Sequence, residues 1–287
     1  MPKVAYHLTH PERRTTSVVF ASPHSGRDYS WSFLRRTRLN ERSVRSSEDA
    51  FVDQLFEYAP QMGAPFIKAG APRAYVDLNR SADELDPALI EGVSKIGHNP
   101  RVTSGLGVIP RVVANGQAIY SGKLTQDEAE RRIDGFWRPY HRALAGQLDQ
   151  AHMMFGQAIL IDCHSMPHEA MDSVASLGPR RPEVVIGDRF GASASTEIVD
   201  RIEMALQAAG LCVVRNTPFA GAYVTQHYGR PSKGRHAIQL EIDRSLYMNE
   251  QLIRTNGNFE NLRTRLKSVI ADITDIGRPA NIPLAAE

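Results

Sequence analysis

Residues 158–167 read Ala158-Ile159-Leu160-Ile161-Asp162-Cys163-His164-Ser165-Met166-Pro167. A run of aliphatic side chains, too short to cross a bilayer and rich in the branched residues a sheet favours, ends abruptly in an acid, a thiol, an imidazole and a hydroxyl. Such a segment is a buried strand that delivers polar groups to a sheet edge. In open α/β sheets ligands bind beyond the carboxyl ends of the strands, which puts His164 and Ser165 where chemistry is done. The rest of the chain must supply the neighbouring strands and the layers that cover them.

Residues 17–21 form a first strand that runs into Ser22-Pro23-His24-Ser25-Gly26, a second histidine at a strand end. Residues 47–58 repeat at helical spacing through Phe51, Leu55 and Tyr58, with Ser47 as cap and Glu48 and Asp49 in the first turn. Strands are expected at 64–69 and 74–78, the latter ending in Asn79-Arg80. Residues 83–124 are rich in Gly, Pro and Asn and form a long irregular excursion, a feature that is functional or mobile when it occurs inside a compact domain. Residues 125–155 make the clearest helix. Thr125 and Glu128 match a capping box, Phe136, Tyr140, Leu144 and Leu148 recur at intervals of four, and Pro139 should kink or split it.

Beyond the central strand, 171–193 is loop-rich with a short strand at 184–186, 196–209 is an amphipathic helix stopped by Gly210, and 211–215 is a strand. Residues 218–234 read as a Gly-, Tyr- and Pro-rich loop whose His227 and Tyr228 suit closure over a site. A strand at 237–242 leads to Asp243-Arg244, a last helix covers 258–273, and the tail from Gly277 reads as loose. Strands interleaved with helices specify an α/β fold, a three-layer arrangement of a mixed, mainly parallel sheet flanked by helices on both faces. With no internal repeat and no linker, residues 1–287 are expected to form a single domain.

The 34 basic and 32 acidic residues leave a formal charge of +2, too small to argue for nucleic acid or an anionic membrane surface. No apolar run is long enough to span a bilayer, and residues 1–14 have neither the apolar core of a signal peptide nor that of an anchor. Cys163 and Cys212, the only cysteines, lie in apolar strand-like surroundings and read as reduced packing residues in a cytoplasmic protein. Neither a Walker loop nor Gly-x-Gly-x-x-Gly occurs between strand and helix, so no nucleotide cofactor is indicated.

His24 and His164 at two strand ends, with one nearby acid, match the three protein ligands of a catalytic zinc site. Asp49 and Glu48 are both candidates for the carboxylate, and acids in a first helical turn are also explained by the helix dipole alone. Asn79-Arg80 offers an amide and a planar guanidinium suited to a substrate carboxylate; structural pairing of Arg80 with Asp77 or Asp83 is the competing reading. Glu241 lies inside an apolar strand pattern, where a carboxylate must be satisfied by Arg or held near a cation, and the second case makes a tunable general base. Ser25 and Ser165 lack any local sign of nucleophile activation.

Ser22-Pro23-His24-Ser25-Gly26, Glu48-Asp49 with Val52-Asp53, Val76-Asp77-Leu78-Asn79-Arg80, Trp137-Arg138-Pro139-Tyr140-His141, Asp162-Cys163-His164-Ser165, His227-Tyr228-Gly229-Arg230-Pro231, and Gln239-Leu240-Glu241 with Ser245-Leu246-Tyr247-Met248 together resemble the N-formylglutamate amidohydrolase family. The resemblance runs in order from about residue 17 to 248. It implies a fold similar to zinc carboxypeptidases and aspartoacylases, Zn2+ held by His24, Asp49 and His164, and a small-molecule N-acyl amino acid substrate gripped by Asn79 and Arg80. It further implies Glu241 as general base and Arg73 as a group that polarises the carbonyl or binds a carboxylate. Carboxypeptidases place the carboxylate ligand three residues after the first histidine, where this chain has Arg27; the family pattern takes it from Asp49, with Glu48 as the alternative. Asp162 becomes a partner that orients an imidazole. A zinc deacylase or peptidase with another acyl substrate, and a non-catalytic carboxylate-binding protein, are the two other readings.

Overall fold

A computed structural model describes residues 1–94, 99–172, 174 and 180–279. Seven strands make one sheet: β1 (Tyr6–Thr9), β2 (Val18–Ser22), β3 (Phe66–Ala69), β4 (Ala158–Met166), β5 (Val184–Gly187), β6 (Val213–Arg215) and β7 (Arg235–Asp243), in the order β1-β3-β2-β4-β7-β5-β6. The four central strands run parallel, β1 is antiparallel to β3, and β5 is antiparallel to β7. The expected mixed, mainly parallel sheet is therefore present, with one addition. The edge strand β1 lies in a segment whose charged composition gave no strand signal.

Strand alternation divides the core in two. Ile159, Ile161 and Cys163 of β4 and Ile238, Leu240 and Ile242 of β7 point into one apolar cluster. That cluster is closed by two helices, Thr196–Ala208 and Phe259–Ile276. Ala158 and Leu160 of β4 and Ala237 of β7 point the other way, onto Tyr140, Leu144 and Leu148 of the helix Arg138–Phe155. On that second face the next residues in alternation are Asp162, His164, Gln239 and Glu241, all buried. The apolar face thus turns polar towards the carboxyl ends of the strands.

Three local expectations are corrected. The helix expected at 47–58 shrinks to Val52–Leu55, because the Asp49 N–H is drawn to the His24 carbonyl (3.0 Å) and Phe51 reverses the chain at φ 67°. That left-handed conformation costs a non-glycine residue about 1–2 kcal/mol. Residues 74–78 form turns rather than a strand: Tyr75 and Val76 donate to the Pro72 carbonyl and Asp77 to that of Val108. Residues 223–228 are a short helix, Tyr223–Tyr228, inside the stretch expected to be all loop.

The helix at 126–155 is split as Pro139 requires. Thr125 caps Gln126–Arg132 by accepting from the Glu128 N–H (3.3 Å), and a π turn at Ile133–Trp137 precedes Arg138–Phe155. Pro139 has no N–H to return to the preceding turn, and the wider turn absorbs the lost bond. Residues 83–124 are mostly irregular, with the short helix Pro100–Thr103 and isolated bridges; residues 95–98 lie outside the described part. Of the tail expected to be loose, Gly277 is held by the Ser17 N–H at 2.9 Å, and residues 280–287 lie outside the described part. Cys163 and Cys212 are free thiols, and among the described residues no helix is long and apolar enough to cross a membrane.

Candidate functional site

β2, β4 and β7 deliver their carboxyl ends to one cavity of about 630 Å³. β4 does not stop at Asp162 but continues through Met166, so His164 lies within the sheet, in parallel register with Glu241 of β7. Residues so paired carry their side chains on the same face. His24 sits in the turn that follows β2, and the backbone bond from Asp49 brings the third group alongside.

His24, Asp49 and His164 are buried, and one donor atom from each lies within 4.8 Å of the others. His24 Nε2 donates to Asp77 Oδ1 at 2.7 Å, and His164 Nε2 stands 3.0 Å from Asp162 Oδ2. These carboxylates fix both rings so that their Nδ1 atoms face Asp49 Oδ2, at 3.4 Å and 2.9 Å respectively. His24 Nδ1 is buried without a hydrogen-bond partner. A buried nitrogen left unpaired beside a second imidazole and a carboxylate fits a divalent cation such as zinc, and a carboxylate behind each histidine is the usual support for a metal-binding imidazole.

The electrostatics agree. Burial alone would raise the Asp49 carboxyl, yet the adjoining His164 and His24 imidazoles hold it well below the ordinary carboxylate range. Burial would lower the His164 imidazolium, and Asp162 and Asp49 outweigh it, raising it well above the ordinary value. Asp77, despite burial, is held well below its ordinary value by His24, Arg73 and Arg80. The cluster stabilises positive charge between its carboxylates, whether proton or metal.

Glu241 is pushed up to about 7, first by burial, against the opposing pull of His164. Gln239, two residues earlier on the same face, donates to Glu241 Oε1 at 2.7 Å and accepts the Ala222 N–H at 3.1 Å. Arg73 Nε donates to Asp77 Oδ2 at 3.0 Å and its side chain lines the cavity. Asn79 Oδ1 accepts from the Val224 N–H at 2.8 Å, which leaves Nδ2 as donor, 3.4 Å from Asp162 Oδ2 and 3.1 Å from His164 Nε2. Arg80 directs Nε to the Leu106 carbonyl and Nη1 to that of Asn79, so its competing pairing with Asp77 or Asp83 does not form. Glu48 bonds Arg45 and Tyr29, away from the two imidazoles.

Four groups carried no assigned place in the sequence reading of this cavity: Asp77 behind His24, Gln239, Arg101, and Arg244. Arg244 is buried and binds Asp49 Oδ1 at 3.0 Å and Ser165 Oγ at 3.2 Å. Gln239 was accessible from strand alternation, being two residues from Glu241; Arg244 looks like an ordinary charge at a strand end, and only the tertiary fold buries it. Ser25 bonds Ser22, and His227 and Tyr228 do not close the cavity. The Tyr228 hydroxyl instead meets His141 Nδ1 at 2.9 Å, and the His141 ring is held neutral by burial, with its pKa lowered to about 3. His141 Nε2 then donates to the Leu78 carbonyl and Trp137 Nε1 to the Arg80 carbonyl, both at 2.9 Å, bracketing Asn79 from either side.

Residues 16–248 match the profile of the family described as N-formylglutamate amidohydrolase. An N-formylglutamate deformylase of Pseudomonas putida is 30% identical over 240 residues, covering 81% of this chain and 82% of its own length. One from Pseudomonas aeruginosa is 31% identical over 220 residues, covering 74% and 75%. The crystal structure of N-formylglutamate amidohydrolase from Ralstonia eutropha JMP134 superposes with a TM-score of 0.89 at 34% identity, covering 96% of this chain and 99% of that one. The Agrobacterium tumefaciens gene product Atu2144 shares the fold, with a TM-score of 0.65 at 15% identity over 96% of each chain. The matched span contains every group that lines the metal-ligand cluster, and this chain belongs to the N-formylglutamate amidohydrolase family.

Proposed function

We propose that this chain is a zinc-dependent amidohydrolase that cleaves the amide of N-formylglutamate to give formate and the free amino acid. The observation that carries the reading is the buried cluster of His24 Nδ1, His164 Nδ1 and Asp49 Oδ2, with the His24 nitrogen unpaired and Glu241 on the strand beside His164. The names of the Pseudomonas and Ralstonia relatives supply the substrate.

His24, Asp49 and His164 hold the metal. Zinc bound there supplies Lewis acidity, lowering the pKa of water and polarising a carbonyl. Glu241, raised to about 7, accepts the proton of the attacking water and passes it to the departing amine nitrogen. Arg73, fixed by Asp77, donates to the oxyanion that forms on the former carbonyl oxygen. Arg80 binds the substrate carboxylate with the part of its fork not spent on backbone carbonyls, and Asn79 orders the site around Asp162 and His164.

Metal analysis of the purified protein and turnover of N-formyl, N-acetyl and N-succinyl amino acids test this reading. About one zinc per chain and preference for N-formylglutamate are expected. Zinc with preference for another acyl group would make the chain a deacylase of different substrate, and a metal-free protein inert even with added zinc would overturn the proposal.

A further inference from the structure

We propose that Arg101 is a specificity-determining residue which, together with Arg80, makes the cavity select N-acyl amino acids carrying a second carboxylate. The inference rests on the amidohydrolase reading above and deepens it.

Four guanidinium groups line the cavity: Arg73, Arg80, Arg101 and Arg244. Arg73 is paired with Asp77 and Arg244 with Asp49. Glu241, the remaining acid of the lining, is engaged by Gln239. Among the described residues Arg80 and Arg101 make no ion pair within 4 Å. Two cations therefore face a cavity whose own acids are already committed elsewhere.

These two cations are held on one turn. The Leu106 carbonyl accepts Arg80 Nε at 2.9 Å, while the Leu106 N–H donates to the Arg101 carbonyl at 2.8 Å. A single residue thus locks the Arg80 side chain and the Arg101 backbone to the same point of the cavity wall. Arg101 belongs to the short helix Pro100–Thr103, and the Asn99 that caps it is tied to Glu84 Oε2 at 3.2 Å. Glu84 lies close enough to act on Arg80, but its oxygens are taken by Asn99 and by the Ser81 N–H at 3.0 Å. The Arg80 guanidinium is pulled below its ordinary value first by burial, with Arg73 and Arg101 acting in the same direction.

A ligand with one carboxylate satisfies one of these guanidiniums and leaves the other uncompensated. A ligand with two, one beside the scissile amide and one at the far end of its side chain, satisfies both by charge-assisted hydrogen bonds. Arg80, anchored at two backbone carbonyls, takes the carboxylate whose position the chemistry fixes. Arg101, on the exposed helix, takes the distal one.

The test compares kcat/KM for N-formyl-L-glutamate and N-formyl-L-glutamine, which differ in charge but hardly in shape, in the zinc-loaded wild type, Arg101→Ala and Arg101→Lys. The wild type should favour the glutamate substrate. Arg101→Ala should reduce that preference about tenfold or more, mainly through KM, and Arg101→Lys should restore part of it. An unchanged ratio in Arg101→Ala, or an equal loss on both substrates, overturns the role of Arg101. A wild type that turns over neither substrate overturns the amidohydrolase reading instead, so the two failures are distinguishable. Zinc content and circular dichroism of each variant confirm that the exposed substitution leaves the fold intact.

Discussion

The floor and the wall of the cavity are built on different principles. The floor comes from strand register: β4 and β7 pair over nine residues, and their alternation alone sets Asp162, His164, Gln239 and Glu241 on one face. Its charges are cross-bonded acid to imidazole and acid to guanidinium, with His24 Nδ1 left over. The wall comes from turns around Asn79 and from residues 100–116; there the Arg80 guanidinium leans on backbone carbonyls instead of carboxylates, and among the described residues Arg101 makes no ion pair. Of the groups that need fixed distances, His164 and Glu241 stand on the sheet, and His24 and Asp49 stand beside it, tied together by the bond from the Asp49 N–H to the His24 carbonyl. Groups that meet a variable ligand stand on turns, where substitution disturbs little else.

If that division holds, floor substitutions should change metal binding and kcat, and wall substitutions should change KM. The largest effect is expected from Glu241→Gln: zinc retained and kcat down roughly 10²–10⁴-fold, the range for loss of a general base, measured by steady-state kinetics beside metal analysis. The wild-type rate should rise with pH as Glu241 deprotonates, with its acid limb at or below about 7 because a bound cation favours the carboxylate. The same variant has an opposite effect on stability. The metal-free fold favours the neutral carboxyl, at about 7 against the ordinary 4.5, so that contribution is complete below about 4.5 and lost as pH rises through 7. Metal-free Glu241→Gln should therefore be more stable than metal-free wild type at pH 8, by up to about 3 kcal/mol, and lose that advantage near pH 4. Denaturant titration at the two pH values checks it. A variant with reduced stability at pH 8 would remove Glu241 from the strained, buried position assigned here.

Much of the floor was legible in the sequence because strands advertise themselves. An aliphatic run that breaks into Asp162-Cys163-His164, and an acid inside an apolar alternation at Glu241, are local signals, and both led to the same face. The segment around Asp49 reads as a full helix in the sequence, whereas in the structure only Val52–Leu55 is helical and Asp49 lines the cavity. Phe51, Leu55 and Tyr58 are all at least partly buried against one core, as a helix would bury them, but the chain reaches that core through a left-handed residue. Residues 74–78 resembled a strand for a similar reason: Ala74, Val76 and Leu78 are buried, by turns instead of by pairing. Apolar pattern reports burial, and it reports geometry only where the backbone is regular. The wall was hardest to read, since nothing local distinguishes Arg101 from other exposed arginines. Its meaning comes from Leu106, which links it to a residue far back in the chain.

On the wall, Arg80→Ala should raise KM by about 100-fold with zinc content unchanged, the loss expected for a charge-assisted carboxylate contact. Loss of metal in that variant would break the division, because Arg80 touches no ligand of the cluster. The smallest effect tests the floor. Asp162 is buried behind His164, with Oδ2 facing its Nε2 at 3.0 Å and the Asn79 amide at 3.4 Å. Asp162→Asn keeps the shape but offers a neutral carbonyl where a carboxylate polarised the ring. Zinc affinity should fall about 10- to 100-fold, as is usual when the partner of a ligating histidine is altered. Competition with a chelator measures this, and substrate KM at saturating zinc should stay near the wild-type value. A changed KM with unchanged zinc affinity would mean that Asp162 acts on the wall through Asn79, and the division between floor and wall would fail at that residue.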